Sequence, residues 1–490
     1  MNHPNVLMLM GDQHPAKMTG FAGHPVVRTP AMDSIADSGA VFDAAYCPSP
    51  LCAPSRAALM SSRFPSEIEV WDNAAPFRSD WPTFAHSFRA AGYRTVLCGK
   101  MHFVGPDQLH GFEERWTQDI YPCTFDWTIP NRDGPFVKPL GKGQDRTRVE
   151  NSGIGWTPDM DYDEEVAFRA LLGLRRMRRE SGDAPFFLCV SFTGPHYPFY
   201  APKPYWDLYA DSDIELPELR EGYQAADHAT VDWVRRTMHL EEPVDRDAAL
   251  RATHATLGRI TMLDDYVAKI LAELENQGMA EDTIVLYTSD HGDMMGEHGL
   301  WFKCTHYDGS SRVPFAIRGP GIDTARRSEP ISLLDLGPTL CGLTGVDPVG
   351  PASSGRDMSE LVHGEREDEA GEAIVEYYGD GTRRGWRMIR SGDVKLTYAP
   401  EAGPLMFDLA EDPDERHDVA DDPAYAAERE RLLARVTDGW DPDDCDRRRY
   451  ESEDRRIAIR EAIGTGEPAD WAYVSPPVPP PGTGHGSRKR

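Results

Sequence analysis

No two cysteines in the 490-residue sequence are spaced as C-x-x-C, and none falls into a zinc-ligand pattern with histidine. The eight cysteines, at 47, 52, 98, 123, 189, 304, 341 and 445, are scattered. Cys98 and Cys189 sit inside apolar runs and read as reduced, buried thiols. Positive charge is also scarce. Fifty-two Lys and Arg face 81 Asp and Glu, leaving a formal charge of −29. Such a surface repels phosphate backbones, which argues against a nucleic-acid partner. A local positive pocket inside an acidic shell is still allowed. Long apolar runs are missing too: nothing approaches the ~20 residues of a membrane span. The run Val6 to Met10 follows no basic leader and is too short for a signal core, so the cytoplasm is the default expectation. No internal repeat is visible. What remains, 40% hydrophobic and 10% aromatic, is an ordinary globular composition.

The first two-thirds alternate between two kinds of segment. VLMLMGD (6–12), TVLCGK (95–100), PFFLCVSF (185–192) and TIVLYTSD (283–290) are short apolar runs ending in polar residues. Between them lie helical patterns such as those of residues 163–180 and 255–278. Buried strands alternating with amphipathic helices predict an α/β domain with a mostly parallel sheet sandwiched by helices. Ligands collect at the carboxyl ends of such strands. After the charged stretch 363–372 come four short strand-like segments separated by turn residues, predicting a small antiparallel sheet followed by a helix. The expected divisions are 1–365 for the catalytic domain, 366–445 for the small subdomain and 446–490 for an extended tail. The end of that tail is rich in Pro and Gly.

Within SPLCAPSRAALMSS (49–62), Pro54 suits a first helical turn, and the residues after it are fair helix formers. Cys52 is then expected at a helix N-terminus, where free N–H groups favour developing negative charge. A lone cysteine before a helix is commonly structural. Cys52-Ala53-Pro54-Ser55-Arg56, however, resembles the C-x-P-S-R signature of the sulfatases, whose fold is alkaline-phosphatase-like. The resemblance implies oxidation of Cys52 to formylglycine by a maturation enzyme. The hydrated aldehyde attacks sulfur, and the sulfated hemiacetal expels sulfate by collapsing to the aldehyde.

Asp12 and Asp290 end two apolar strands nearly 280 positions apart. Buried together, two carboxylates call for a cation. The resemblance places the divalent metal on Asp12, Gln13, Asp290, His291 and the residue made from Cys52. Oxygen ligands favour Ca²⁺ or Mg²⁺, and the histidine keeps Mn²⁺ open; Ca²⁺ is the first expectation. Lys100 and His102, spaced i and i+2, can reach one ligand from an extended segment, and His196 and Lys303 follow other strands. By resemblance, Lys100, Lys303 and Arg56 hold the sulfate. His102 serves as a base for the diol, and His196 with Lys303 protonates the departing alcohol.

The stretch GKMHFVGPDQLHGFEERWTQDIYP (99–122), with WDNAAPF (71–77) and YDEEVAF (162–168), is similar to the choline sulfatase subgroup. That likeness implies a small organic sulfate ester, choline sulfate or a related alkyl or aryl sulfate. Trp127 and Asp380 then become candidates for holding a quaternary ammonium. Residues 130–156, Gly194, Tyr197, His306 and Tyr307 depart from the subgroup and bear on the alcohol, not on the reaction class. The tail, with Trp471 and Tyr473, resembles one that reaches over a neighbouring subunit, so a homo-oligomer, dimer or tetramer, is expected. The rival enzyme reading is a phosphonate or phosphodiester monoester hydrolase of the same superfamily. A scaffold without chemistry would have no need of all these polar residues.

Overall fold

The computed structural model describes residues 3–130, 139–180, 184–217, 228–366 and 371–464, with Arg132 and Val137. Trp471 and Tyr473 of the expected oligomer contact lie outside the described residues.

Five parallel strands form the heart of an eight-stranded sheet. In spatial order they are Thr283–Ser289, Asn5–Asp12, Phe186–Pro195, Arg94–Gly99 and Glu114–Arg115. Phe315–Arg318 joins the first of these antiparallel, followed by Ala40–Phe42 and Ala325–Arg327. In the central strand Met8 lies opposite both Cys189 and Leu286. Val6 to Met10 are fully buried because helices cover both faces. Alternate residues face opposite ways. Leu7 and Leu9 pack with the helices Pro30–Asp37, Pro158–Glu180 and Arg246–Asn276, whereas Val6, Met8 and Met10 pack with Cys52–Ser61, Phe84–Ala90 and Leu336–Thr344. The expected alkaline-phosphatase-like α/β architecture is the one observed. No helix among the described residues is long and apolar enough to cross a membrane.

The second sheet is a four-stranded antiparallel meander of Glu372–Tyr377, Trp386–Ser391, Val394–Ala399 and Gly403–Asp408. One face packs Ile389, Leu396 and Met406 under the helix Ala426–Thr437. Its other face packs Val375, Trp386 and Met388 against Tyr46, Leu51 and Phe302 of the large domain. Residues 446–464, read from sequence as the start of an extended tail, belong to the helix Pro442–Gly464. Arg449 Nη1 of that helix donates to the Tyr378 carbonyl at 2.7 Å, and Arg456 clasps Asp72 at 2.7 and 2.8 Å. Its early turns are therefore anchored by buried side chains.

One buried lysine ties the small sheet electrostatically to the helix Asp308–Ser311 of the large domain. Lys395 Nζ lies 2.9 Å from Asp308 and 2.5 Å from Glu415, and Tyr46 also donates to Asp308. Removing the cation would strand two carboxylates away from water. Lys395→Met is expected to destabilise the protein by about 3–5 kcal/mol. Urea denaturation followed by fluorescence checks this, and an unchanged midpoint would contradict it.

Candidate active site

The polar residues that end the apolar strands converge at one edge of the large sheet. Asp12 closes the central strand, Asp290 and His291 follow Thr283–Ser289, Lys100 and His102 follow Arg94–Gly99, and His196 follows Phe186–Pro195. Parallel strands place these ends side by side, which is why residues remote in sequence meet. Cys52 is the first residue of the helix Cys52–Ser61, and the neighbouring Ala53 N–H is taken by Asn73 Oδ1 at 3.0 Å.

The Cys52 sulfur is buried beside His291 Nε2 at 3.3 Å and Lys303 Nζ at 3.2 Å, with Asp12 Oδ1 at 3.9 Å. One ligand atom from each of Asp12, Cys52, Asp290 and His291 lies within 4.8 Å of all the others. His291 Nδ1 is 3.0 Å from the Gly292 carbonyl. Donation to that oxygen leaves Nε2 as a lone pair facing the cluster, the arrangement of a metal-binding imidazole. Two buried carboxylates, an oriented imidazole and the residue-52 side chain suit a divalent cation.

Cations crowd this cluster. Arg56 Nε donates to Asp290 at 2.7 Å and Nη2 to Asp12 at 2.8 Å, while Nη1 reaches the Lys100 carbonyl at 2.7 Å and Ser191 Oγ at 2.8 Å. Every nitrogen of Arg56 is engaged by protein. Expected from the sequence among the sulfate-holding groups, this guanidinium bridges the two acids. Lys100 Nζ contacts Asp12 and lies 4.0 Å over the Tyr121 ring. Burial pushes the Cys52 thiol up, but Lys100, Lys303 and His291 outweigh it and hold the thiol well below its ordinary range. Burial and the Cys52 sulfur likewise push Asp12 up, yet Lys100, His196 and Arg56 keep it far below the usual carboxylate range. The pocket thus favours an anion.

Gln13, expected among the metal ligands, turns its Oε1 to Lys303 Nζ at 2.7 Å and donates Nε2 to Asp293. Its backbone N–H donates to Asp290 Oδ1 at 3.1 Å. Burial pushes Asp293 up to about 6, only partly offset by the Met295 N–H, Gln13 and the Phe302 N–H. His196 Nδ1 lies 2.6 Å from the Tyr197 carbonyl, leaving Nε2 to face Lys303 at 3.2 Å and Asp12 at 3.8 Å. Burial, then Lys303, pull its pKa below the ordinary value, against the opposing pull of Asp12. His102 is buried at a left-handed φ of 54°, and neither ring nitrogen has a hydrogen-bond partner among the described residues.

At the outer side, Trp127 is 41% exposed, with its ring 5.5 Å from His102 and 5.0 Å from Tyr121. Asp380, on the small subdomain, is buried, and its charge acts on the Tyr197 hydroxyl. It therefore approaches the pocket without joining the cation cluster. Sequence reasoning missed Asp293, Tyr121, Asn73 and Ser191 as site residues. The first three lie within or beside stretches already singled out. Ser191, inside an apolar strand, carried no signal.

Comparison with known proteins agrees with this geometry. The sulfatase family profile matches residues 4–346, and that of the N-sulphoglucosamine sulphohydrolase C-terminal region matches 296–439. A choline-sulfatase of Rhizobium meliloti (strain 1021) is 37% identical over 482 residues, covering 96% of this chain and 93% of that protein. An arylsulfatase of Clostridium perfringens (strain 13 / Type A) is 28% identical, covering 86% and 91%. Among solved structures, a 2-O GAG sulfatase superposes with TM-score 0.70 at 25% identity, covering 89% and 92%. The phosphonate monoester hydrolase of Agrobacterium radiobacter gives 0.71 at 24%, covering 88% and 95%, a likeness of fold. With its buried cysteine, acids and lysines gathered at the strand ends, the chain belongs to the sulfatase family and is a sulfuric ester hydrolase.

Proposed function

We propose that the protein hydrolyses a small organic sulfate monoester, choline sulfate or a related alkyl or aryl sulfate. In this reading residue 52 acts as the nucleophile after oxidation to formylglycine. The observation that carries it is the side chain of Cys52, 3.2 Å from Lys303 and 3.3 Å from His291 at a helix N-terminus. Asp12, Asp290, His291 and the residue-52 side chain would hold a divalent cation, Ca²⁺ by preference, with Gln13 at their edge. Together, the cation and the hydrated aldehyde would supply a nucleophile that can later release sulfate.

The chain's own groups divide the remaining work. Lys100 and Lys303 face the sulfate oxygens, where negative charge concentrates in the transition state. Fixed cations in a water-poor site are worth several kcal/mol there. Arg56 keeps the two carboxylates at a set separation. His102, with both ring nitrogens uncommitted, takes the proton from the attacking group. His196 delivers a proton to the leaving alcohol, and Lys303 at 3.2 Å is placed to share it. The 37% identity to a choline-sulfatase supports a quaternary-ammonium alcohol, with Trp127 as an aromatic face and Asp380 as the opposing charge.

Cys52→Ala is expected to lower kcat by roughly 10³-fold or more, as loss of a nucleophile does, with little change in Tm. Steady-state assays beside calorimetry read both quantities, and near-normal turnover would overturn the nucleophile assignment. Peptide mass spectrometry across residues 51–56 should find an aldehyde in place of the thiol in active preparations. Chelation should abolish activity, and Ca²⁺, Mg²⁺ or Mn²⁺ should restore it in the order of the site's preference; full activity after metal removal argues against the cation. Matched sulfate, phosphodiester and phosphonate esters test the reaction class. The sulfatase reading fails if either phosphorus ester is preferred in kcat/KM by orders of magnitude.

A further inference from the structure

Two buried carboxylates outside the cation cluster do the same structural job. Asp119 Oδ2 accepts the consecutive backbone N–H groups of Met101 and His102 at 2.8 and 2.7 Å, and Arg115 backs it at 2.8 Å. Asp163 repeats the pattern on the next strand. Its Oδ1 accepts Thr193 N–H at 2.6 Å, its Oδ2 accepts Gly194 N–H at 2.8 Å, and Arg259 Nη2 lies 3.6 Å from Oδ2. The first pair includes the amide of His102 itself, and the second lies two and three residues before His196.

The second clamp bears on proton delivery. The His196 N–H donates to the Thr193 carbonyl at 3.0 Å, closing a turn that begins on the residue Asp163 holds. Gly194 makes the close approach feasible: a Cβ there would sit 3.2 Å from Asp163 Oδ2 and 3.3 Å from Arg259 Nη2. The helix Pro158–Glu180 supplies Asp163 and the helix Arg246–Asn276 supplies Arg259, so two long helices set one loop. Buried amides at a strand end need acceptors. A carboxylate satisfies two of them at once and ties their position to rigid elements.

We propose that Asp163, backed by Arg259, is a positioning residue that aims His196 at the leaving-group oxygen. This rests on the assignment of His196 as proton donor. A misplacement of about 1 Å can cost roughly 100-fold in rate, so the clamp governs how well that proton is delivered. Asp163→Asn replaces one acceptor with an NH₂ group facing a backbone N–H, which displaces the loop.

The test compares two sulfates with different needs. The 4-nitrophenolate ion leaves without a proton, whereas the alkoxide of choline requires one. The ratio of kcat/KM for choline sulfate and 4-nitrophenyl sulfate does not depend on how much enzyme is folded, so simple destabilisation cannot move it. Asp163→Asn is expected to depress choline sulfate turnover tenfold or more relative to 4-nitrophenyl sulfate, within the ~10²–10⁴-fold contribution of a placed acid. Arg259→Lys should shift the ratio the same way by less, and it decides the matter if Asp163→Asn does not fold. His196→Ala is run alongside. If His196→Ala leaves the ratio at its wild-type value, the donor assignment itself is wrong. If His196→Ala shifts the ratio while both clamp variants slow the two substrates equally, the positioning role is overturned.

Discussion

The guanidinium of Arg56 holds the site together. It bridges Asp12 and Asp290, the ends of two adjacent strands, from a helix that carries Cys52 at its start. A buried arginine is costly unless its hydrogen bonds are satisfied, and here two carboxylates, a carbonyl and a serine satisfy them. The same contacts fix the distance between the two acids, which a shared cation requires. The stability of the strand edge and the geometry of the cluster are therefore one arrangement.

Charge balance explains why that edge suits an anion. Arg56, Lys100 and Lys303 confront Asp12 and Asp290, all fully buried. In the unmodified chain the excess positive charge acts on Cys52, whose thiol it holds well below its ordinary range. On the proposed reading, with residue 52 oxidised and a divalent cation in place, the excess would grow, and a bound sulfate group would offset it. An overall charge of −29 is no obstacle, because burial separates this pocket from the acidic surface.

The smaller sheet and the last helix also reach the site. Leu51, next to Cys52, packs in one cluster with Val375, Tyr377 and Trp386 of the meander. Arg456 clasps Asp72, whose neighbour Asn73 takes the Ala53 N–H, and also donates to Thr128 beside Trp127. The C-terminal region thus steadies both the turn at Cys52 and the loop that carries Trp127. This explains why segments outside the large domain bear on the pocket.

Strand identity was legible because Val6–Met10, Phe186–Val190 and Ile284–Leu286 are buried on both faces and read as unbroken apolar runs. The convergence of Cys52 with the strand-end acids was legible because polar residues closing apolar parallel strands meet at one sheet edge. The helix beginning at Pro442 was missed over residues 446–464 because its exposed surface carries many charges and its buried residues past Cys445 are all polar or charged (Asp446, Arg449, Ser452, Glu453, Arg456), so no apolar stripe marks it. Likewise, nothing local shows which acids the Arg56 guanidinium will meet. By itself, then, the sequence determined the layer architecture, the kinds of chemical group available and the reaction class they imply, since these follow from local pattern and side-chain type. Tertiary structure alone decided which acids Arg56 aligns, that Gln13 faces Lys303, and that Asp119 and Asp163 hold the two histidine loops. Those pairings join residues brought together only when parallel strands stack their ends, and spacing along the chain carries no record of that.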